Sequence, residues 1–500
     1  MGENITDNDP RFGENFRARS VSAILVGLAL VCSVWFAIPT LRFWFTAVEY
    51  PGEIDWMEGV ILTQANLAAS GENIYAVHPE QRFIASVYGP LFYYSMASAA
   101  RFEPYAYRPL RTVSLGAIFF AIVCAAIFVY RHTSNIYAAI FTGLLLPQAL
   151  SIAQFGASCK PDSMALAFTA AGLALALPGP DRPIRIFAPL PLFVAALLCK
   201  LSFFAAPLCV AVLAFGGCRR RGCLFLAAFA GAMLASGAIA VTVFGAGFLT
   251  HQFVYNALPF DFARTFTVGP ERFWENNWSL IFFAGAGAFV LFSKARAMYF
   301  ALSLHAIFIL GKAGANLNHW NEPLFAATLS AGPALARFKL SGPGGERAAG
   351  ITYIATAILF FVFYPAAIRP DLDFDLRVSL QNDQRTQSRL RELIGEHRPL
   401  IFSIVPGATA RFGNTVDAPI SDAFSFKTLV QAGVFSDRLF SDNVRHRRFV
   451  MILLNRSDTI QERLEPDQFQ LIQEYYEVTE VLPGTLFSEG DLLVLKPRAR

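Results

Sequence analysis

The chain has 500 residues, 55% hydrophobic, 14% aromatic and only 16% charged, with a formal net charge of +4 and seven cysteines. Its mean hydropathy of +0.44 excludes an ordinary soluble domain. The modest charge, with no basic surface interleaved with aromatics, excludes nucleic acid as a partner.

Apolar segments predict spans at 21–41, 111–130, 136–153, 162–178, 186–199, 201–215, 224–244, 278–293, 297–313, 322–336 and 349–367. A spanning helix needs about 20 residues for about 30 Å of hydrocarbon and satisfies its own backbone; a barrel would alternate, and no alternation is seen. The first segment follows Arg11, Arg17 and Arg19 without a small-residue cleavage pattern, which predicts a retained signal anchor. Residues 87–100 are apolar but short, opened by Gly89-Pro90 and closed by Arg101 and Glu103. If they crossed, every later loop would invert and Arg219, Arg220 and Arg221 would face outward, against the positive-inside rule. They are therefore read as an interfacial helix.

The expected fold is mainly α, a polytopic transmembrane helical bundle of about 11 spans with its N-terminus in the cytoplasm and its C-terminus outside. Residues 1–20 form a cytoplasmic tail, 21–369 a membrane domain whose first outer loop is 42–110, and 370–500 a small outer α/β domain. In that last part a charged helical stretch at 383–397 and a polar one at 465–474 alternate with apolar runs at 400–405, 449–455 and 492–495. The cysteines lie mostly in apolar stretches, where they act as small hydrophobes. Cys218 and Cys223 flank the triple arginine with no companion pair to complete a zinc site.

Charge is scarce, so its placement directs the search for chemistry. Glu53-Ile54-Asp55-Trp56-Met57-Glu58-Gly59 puts three carboxylates just after the first span. Asp55 and Glu58 share one side of a helical turn and can share a proton, a hydroxyl or a cation; equally, they can be solvated loop carboxylates. Trp56 offers a flat face for a sugar ring or an interfacial anchor. In Lys160-Pro161-Asp162, the lysine can hold a phosphate, while Asp162 can orient a hydroxyl or simply cap the next helix. Lys200, wedged between two half-length apolar runs, needs water or an anion. Asn318, His319 and Glu322 form a polar lip; His-x-x-Glu by itself is a weak metal signature.

The order of these motifs resembles the GT-C superfamily of polytopic glycosyltransferases, which includes lipid A aminoarabinose transferases and protein O-mannosyltransferases. The resemblance covers about residues 20–340. It rests on Asp55-Trp56-x-Glu58-Gly59, Tyr88-Gly89-Pro90-Leu91-Phe92-Tyr93, Lys160-Pro161-Asp162, Cys199-Lys200-Leu201, and Arg111 ahead of Ser114 and Gly116. Gly89 departs from the proline common in the family. The resemblance implies inverting transfer of a sugar from a polyprenyl-phosphate donor to a glycan, lipid or protein acceptor at the outer face of a bacterial inner membrane, the active site and the C-terminal domain being periplasmic. Asp55 or Glu58 would be the base; Lys160, Lys200 and Arg111 would hold the donor phosphate; Trp56, Tyr88, Asp162, Asn318, His319 and Glu322 would bind substrate. No cofactor is implied with certainty, although the carboxylates permit a divalent cation. The alternatives are a glycolipid transporter or flippase, for which midplane charges and internal repeats are lacking, and a scaffold acting through the outer domain.

Overall fold

The computed structural model describes residues 10–78, 80–177, 184–290, 293–333, 376–395, 397–455, 459–484 and 490–499. The span expected at 349–367 and the end of that at 322–336 lie outside the described residues. Helix α1 is Pro10–Glu49, α2 Trp56–Ala69, α3 Pro90–Ala100, α4 Arg108–Thr133, α5 Ile136–Leu145 and α6 Leu150–Phe155. They are followed by α7 Pro161–Ala176, α8 Leu190–Cys199, α9 Ala205–Gly217 and α10 Arg219–Phe244. Three segments, Val26–Glu49, Arg108–Thr133 and Arg219–Phe244, are long and apolar enough to cross a membrane. Val31, Trp35, Phe120, Val123, Leu234 and Ile239 stand exposed along them, a surface that only lipid tails satisfy, so this is an integral membrane protein.

Helix α3 has 11 residues, about 16 Å, too short to cross by itself. It starts with Pro90, whose missing N–H costs nothing at a helix start, and its Phe92, Tyr93 and Met96 are buried. Gly89 is required by a close approach: a Cβ there would lie 2.0 Å from the Leu198 carbonyl oxygen. The Gly89 N–H donates to Cys199 O at 3.2 Å, which brings Tyr88 beside the end of α8.

Three expected spans are built differently. The stretch 136–153 is broken into α5, a 3₁₀ turn Leu146–Gln148 and α6, because Pro147 lacks the N–H that a continuous helix needs. The stretch 297–313 divides into Lys294–Ser303, His305–Phe308 and a 3₁₀ turn Ile309–Gly311. The helix expected at 278–293 begins earlier and runs Val268–Val290. Its first turns are amphipathic, with Phe273, Asn277 and Leu280 buried and Glu271, Arg272 and Glu275 exposed, so hydropathy alone passes over them.

The C-terminal part carries a four-stranded sheet of β1 Ile401–Ser403, β2 Met451–Asn455, β3 Tyr476–Leu482 and β4 Leu492–Pro497, in the order β1-β2-β4-β3. β1 pairs parallel with β2, Ile401 opposite Met451; β2 and β3 each pair antiparallel with β4, Ile452 and Val478 both opposite Leu495. β2 is buried at every residue, as a central strand should be. β3, not expected from the sequence, is an edge strand exposed along its middle.

This part is joined to the acidic loop of the membrane domain. Helix Pro406–Phe412 packs against α2 so closely that a Cβ on Gly59 would sit 2.1 Å from Gly407 N. Gly407 N–H donates to Glu53 Oε2 at 3.0 Å, Arg411 donates to the Pro51 carbonyl, and the Tyr50 hydroxyl donates to Asp383 of helix Leu376–Ile394.

Candidate active site

The three acidic side chains of the first loop do not converge. Asp55 is the N-cap of α2, with extended backbone at φ −156°, ψ 139°; its Oδ1 accepts from Met57 N at 2.9 Å. That conformation throws the other carboxylate oxygen outward, to within 2.8 Å of Lys160 Nζ. Glu58, one turn into α2, points to α4 instead. Its Oε1 accepts from Arg111 Nε at 3.0 Å and Cys159 N at 2.9 Å, and its Oε2 from Arg111 Nη2 at 2.5 Å and Ile54 N at 2.7 Å. Glu53 turns to Gly407. Burial pushes its carboxyl well above the usual range, and the Glu58 and Asp55 charges add to the effect.

Arg111 is fully buried and its guanidinium is saturated. Besides its bonds to Glu58, Nη1 donates to Ala47 O at 2.7 Å and Tyr50 O at 2.6 Å, and Nη2 donates to Gly52 O at 2.6 Å. All five N–H groups of a guanidinium and the four acceptor sites of a carboxylate are thereby used. The sequence leads one to expect Glu58 beside Asp55 and Arg111 on a phosphate. The structure joins the two to each other, as a strut pinning α4 to the start of α2.

Lys160 is the N-cap residue of α7, and Pro161 opens that helix. Asp162, expected as a cap, lies inside the first turn and faces across to other elements: Oδ1 is 2.7 Å from Lys200 Nζ, and Oδ2 accepts from Asn318 Nδ2 at 2.8 Å. Lys200 terminates α8 in an extended conformation, φ −150°, ψ 117°, so the chain breaks there before α9. A lysine in this position would be costly without its buried partner.

Of the predicted residues, Lys160, Lys200, Trp56, Tyr88, Asn318 and His319 line one cavity of about 240 Å³, whereas Asp55, and Asp162, expected to bind substrate or to cap the helix, sit behind their lysines and do not line it. Lys160 therefore links Asp55 to the same chamber as Lys200. Among the lining residues that sequence reasoning missed are Lys312 and, from the C-terminal domain, Asp422, Phe424 and Ser425. Lys312 gave the same signal as Lys200, a lysine at the end of an apolar run. Residues 422–425 carried no expectation from the sequence; Asp422 caps helix Ala423–Gln431, its Oδ1 accepting from Ser425 N at 3.1 Å.

Glu322 does not line the cavity; it is buried behind it, 3.4 Å from the Tyr299 hydroxyl. Lys312 bonds to the neutral side chain of Asn256, and burial, reinforced by Lys200, lowers its pKa to about 8. Burial and then the three cavity lysines hold His319 well below the usual imidazole range, so it is neutral at physiological pH; its Nδ1 is buried with no hydrogen-bond partner among the described residues. Burial raises Asp422, against the opposing pull of its bonds to Ser425.

Among the described residues no group of three or more His, Cys, Asp or Glu converges as a metal ion requires. No step below is routed through a divalent cation.

No protein-family model matches the chain, and no curated protein matches its sequence significantly. Its fold does match solved structures. The crystal structure of ArnT from Cupriavidus metallidurans bound to undecaprenyl phosphate superposes with a TM-score of 0.57 at 14% sequence identity, over 92% of this chain and 97% of that one. The apo form of the same protein gives a TM-score of 0.55 over the same coverage, again at 14% identity. The breadth of that superposition shows that this chain is built on the fold of ArnT.

Proposed function

We propose that the protein is a membrane glycosyltransferase that moves a sugar from a polyprenyl-phosphate donor to an envelope glycan, lipid or protein acceptor, with inversion, at the outer face of a bacterial inner membrane. The observation that carries this reading is a chamber with three buried or half-buried lysines, Lys160, Lys200 and Lys312, one of which holds Asp55 at 2.8 Å. The solved relative in fold was crystallised with undecaprenyl phosphate, the kind of anion such a chamber suits.

The lysines receive the donor phosphate. Lys160 and Lys200 are already paired with carboxylates, whereas Lys312 is bonded, among the described residues, to a neutral amide and brings the unbalanced charge. As the phosphate engages Lys160, Asp55 is released from its ion pair and becomes available to the acceptor hydroxyl. The acceptor oxygen attacks the anomeric carbon, the bond from that carbon to the phosphate oxygen breaks, and the hydroxyl proton passes to Asp55. Polyprenyl phosphate leaves as an anion, its growing charge met by the fixed lysines. A single displacement inverts the anomeric centre. Glu58 and Arg111 act by positioning: they fix the turn from which Asp55 projects.

The test is Asp55→Asn, which keeps the cap and the volume. Transfer of radiolabelled sugar from lipid-linked donor in proteoliposomes should drop by about 10²-fold or more, with binding of undecaprenyl phosphate retained. Undiminished transfer would refute the base assignment. Lipid movement across the bilayer without any covalent change would point to a flippase.

A further inference from the structure

The cavity has two chemically distinct walls. The membrane domain supplies its cations, Lys160, Lys200 and Lys312; the C-terminal domain supplies a carboxylate, a hydroxyl and an aromatic ring, Asp422, Ser425 and Phe424, all on the first turn of one helix or its cap. Where the walls meet, Trp56 packs edge-on against Phe424, ring centroids 5.6 Å apart. Arg463 of the C-terminal domain lies over both rings, its guanidinium carbon 4.7 Å from the Trp56 centroid and 5.6 Å from that of Phe424. Its Nε and Nη1 are buried with no hydrogen-bond partner among the described residues. Buried donors of that kind are costly to leave unsatisfied, and a charged one most of all.

We propose that this C-terminal wall, Asp422 and Phe424 with Arg463 behind them, is the subsite for the transferred sugar and selects which sugar is accepted. The inference rests on the donor reading given above and adds to it where the sugar lies and which domain recognises it. Four features carry it. A phosphate is drawn to the lysines and repelled by Asp422, so the donor has one polarity in the chamber, phosphate toward the membrane helices and sugar toward the C-terminal domain. A sugar hydroxyl both donates and accepts; Asp422 lines the cavity as an acceptor, and Arg463, behind the Trp56–Phe424 corner and outside the lining, holds donors for a hydroxyl that reaches past those rings. The aromatic corner of Trp56 and Phe424 gives the C–H face of a ring an apolar surface. The volume, about 240 Å³, is below the ~300–1,000 Å³ of pockets that enclose drug-sized ligands and suits a single ring.

The experiment compares full-length wild type, Asp422→Asn and Arg463→Met. Asparagine keeps the helix cap, and methionine keeps the packing on the two rings while removing the donors. Four probes are titrated: undecaprenyl phosphate and its glucosyl, mannosyl and arabinosyl phosphodiesters. Wild type should bind at least one glycosylated lipid about tenfold or more tighter than the bare lipid. Each variant should lose most of that preference, about tenfold, with bare-lipid affinity held within about twofold. Equal binding of all four lipids by wild type, or variants that keep the preference, would overturn the proposal. So would variants that lose bare and glycosylated lipid alike, which would mark a structural role. If wild type binds no undecaprenyl phosphate at all, the donor reading itself fails and the subsite with it.

Discussion

Arg111 is the residue for which sequence and structure assign opposite jobs, and Arg111→Lys separates them. In the structure the guanidinium makes five hydrogen bonds, two to Glu58 and one each to Ala47 O, Tyr50 O and Gly52 O. An ammonium has three donors on a differently shaped head, so at least two acceptors in a fully buried site lose their partner. At about 1–3 kcal/mol for each unsatisfied group the loss is about 2–6 kcal/mol. Arg111→Met also strands the Glu58 charge, a further loss of about 3–5 kcal/mol, which Glu58→Leu in the same molecule should partly restore. The assay is the apparent unfolding midpoint in detergent, together with the affinity of the folded fraction for undecaprenyl phosphate. A strut lowers the midpoint in the order wild type, Lys, Met, with little change in affinity. An Arg111→Lys protein as stable as wild type that binds the lipid tenfold more weakly would refute the reasoning and restore Arg111 as a phosphate ligand.

Other expectations follow from the ionisation of groups outside the spans. Lys312 has its pKa lowered to about 8, so its proton is lost as pH rises through that value. Undecaprenyl phosphate affinity should therefore fall above about pH 8, by up to about tenfold per pH unit over the range between the free and bound pKa values of the lysine. Lys312→Arg should abolish this dependence, and a flat wild-type profile from pH 7 to 9.5 would refute it. Glu53 has its carboxyl raised in the folded state. The folded protein thus holds a proton that the unfolded chain releases, and the stabilisation present below the unfolded carboxyl pKa is lost as pH rises toward the folded one, by up to about 1.4 kcal/mol per pH unit. Glu53→Gln, whose amide oxygen still accepts from Gly407, should raise the midpoint more at pH 8 than at pH 5. An equal effect at both would show that the carboxyl is not the cause.

The sequence by itself determined that this chain lives in a membrane, because long apolar runs have no other solvent, and it singled out the scarce charges as the candidates for chemistry. The early acidic loop, Lys160-Pro161-Asp162 and the break at Lys200 were legible as local signals, as were three of the four strands of the C-terminal sheet. The amphipathic start of helix Val268–Val290 and the edge strand β3 were not, because half of each faces away from any core.

Only the tertiary structure decided which charge answers which. Asp55 and Glu58 look equivalent at a spacing of three residues, yet one faces Lys160, 105 positions away, and the other Arg111, 53 positions away. Backbone conformation at the N-cap splits them, and no local pattern encodes partners that distant. The C-terminal wall was invisible for the same reason: nothing local marks Asp422 and Phe424, which line the chamber only in a fold where the C-terminal part packs on α2, closely enough that a Cβ on Gly59 would lie 2.1 Å from Gly407 N.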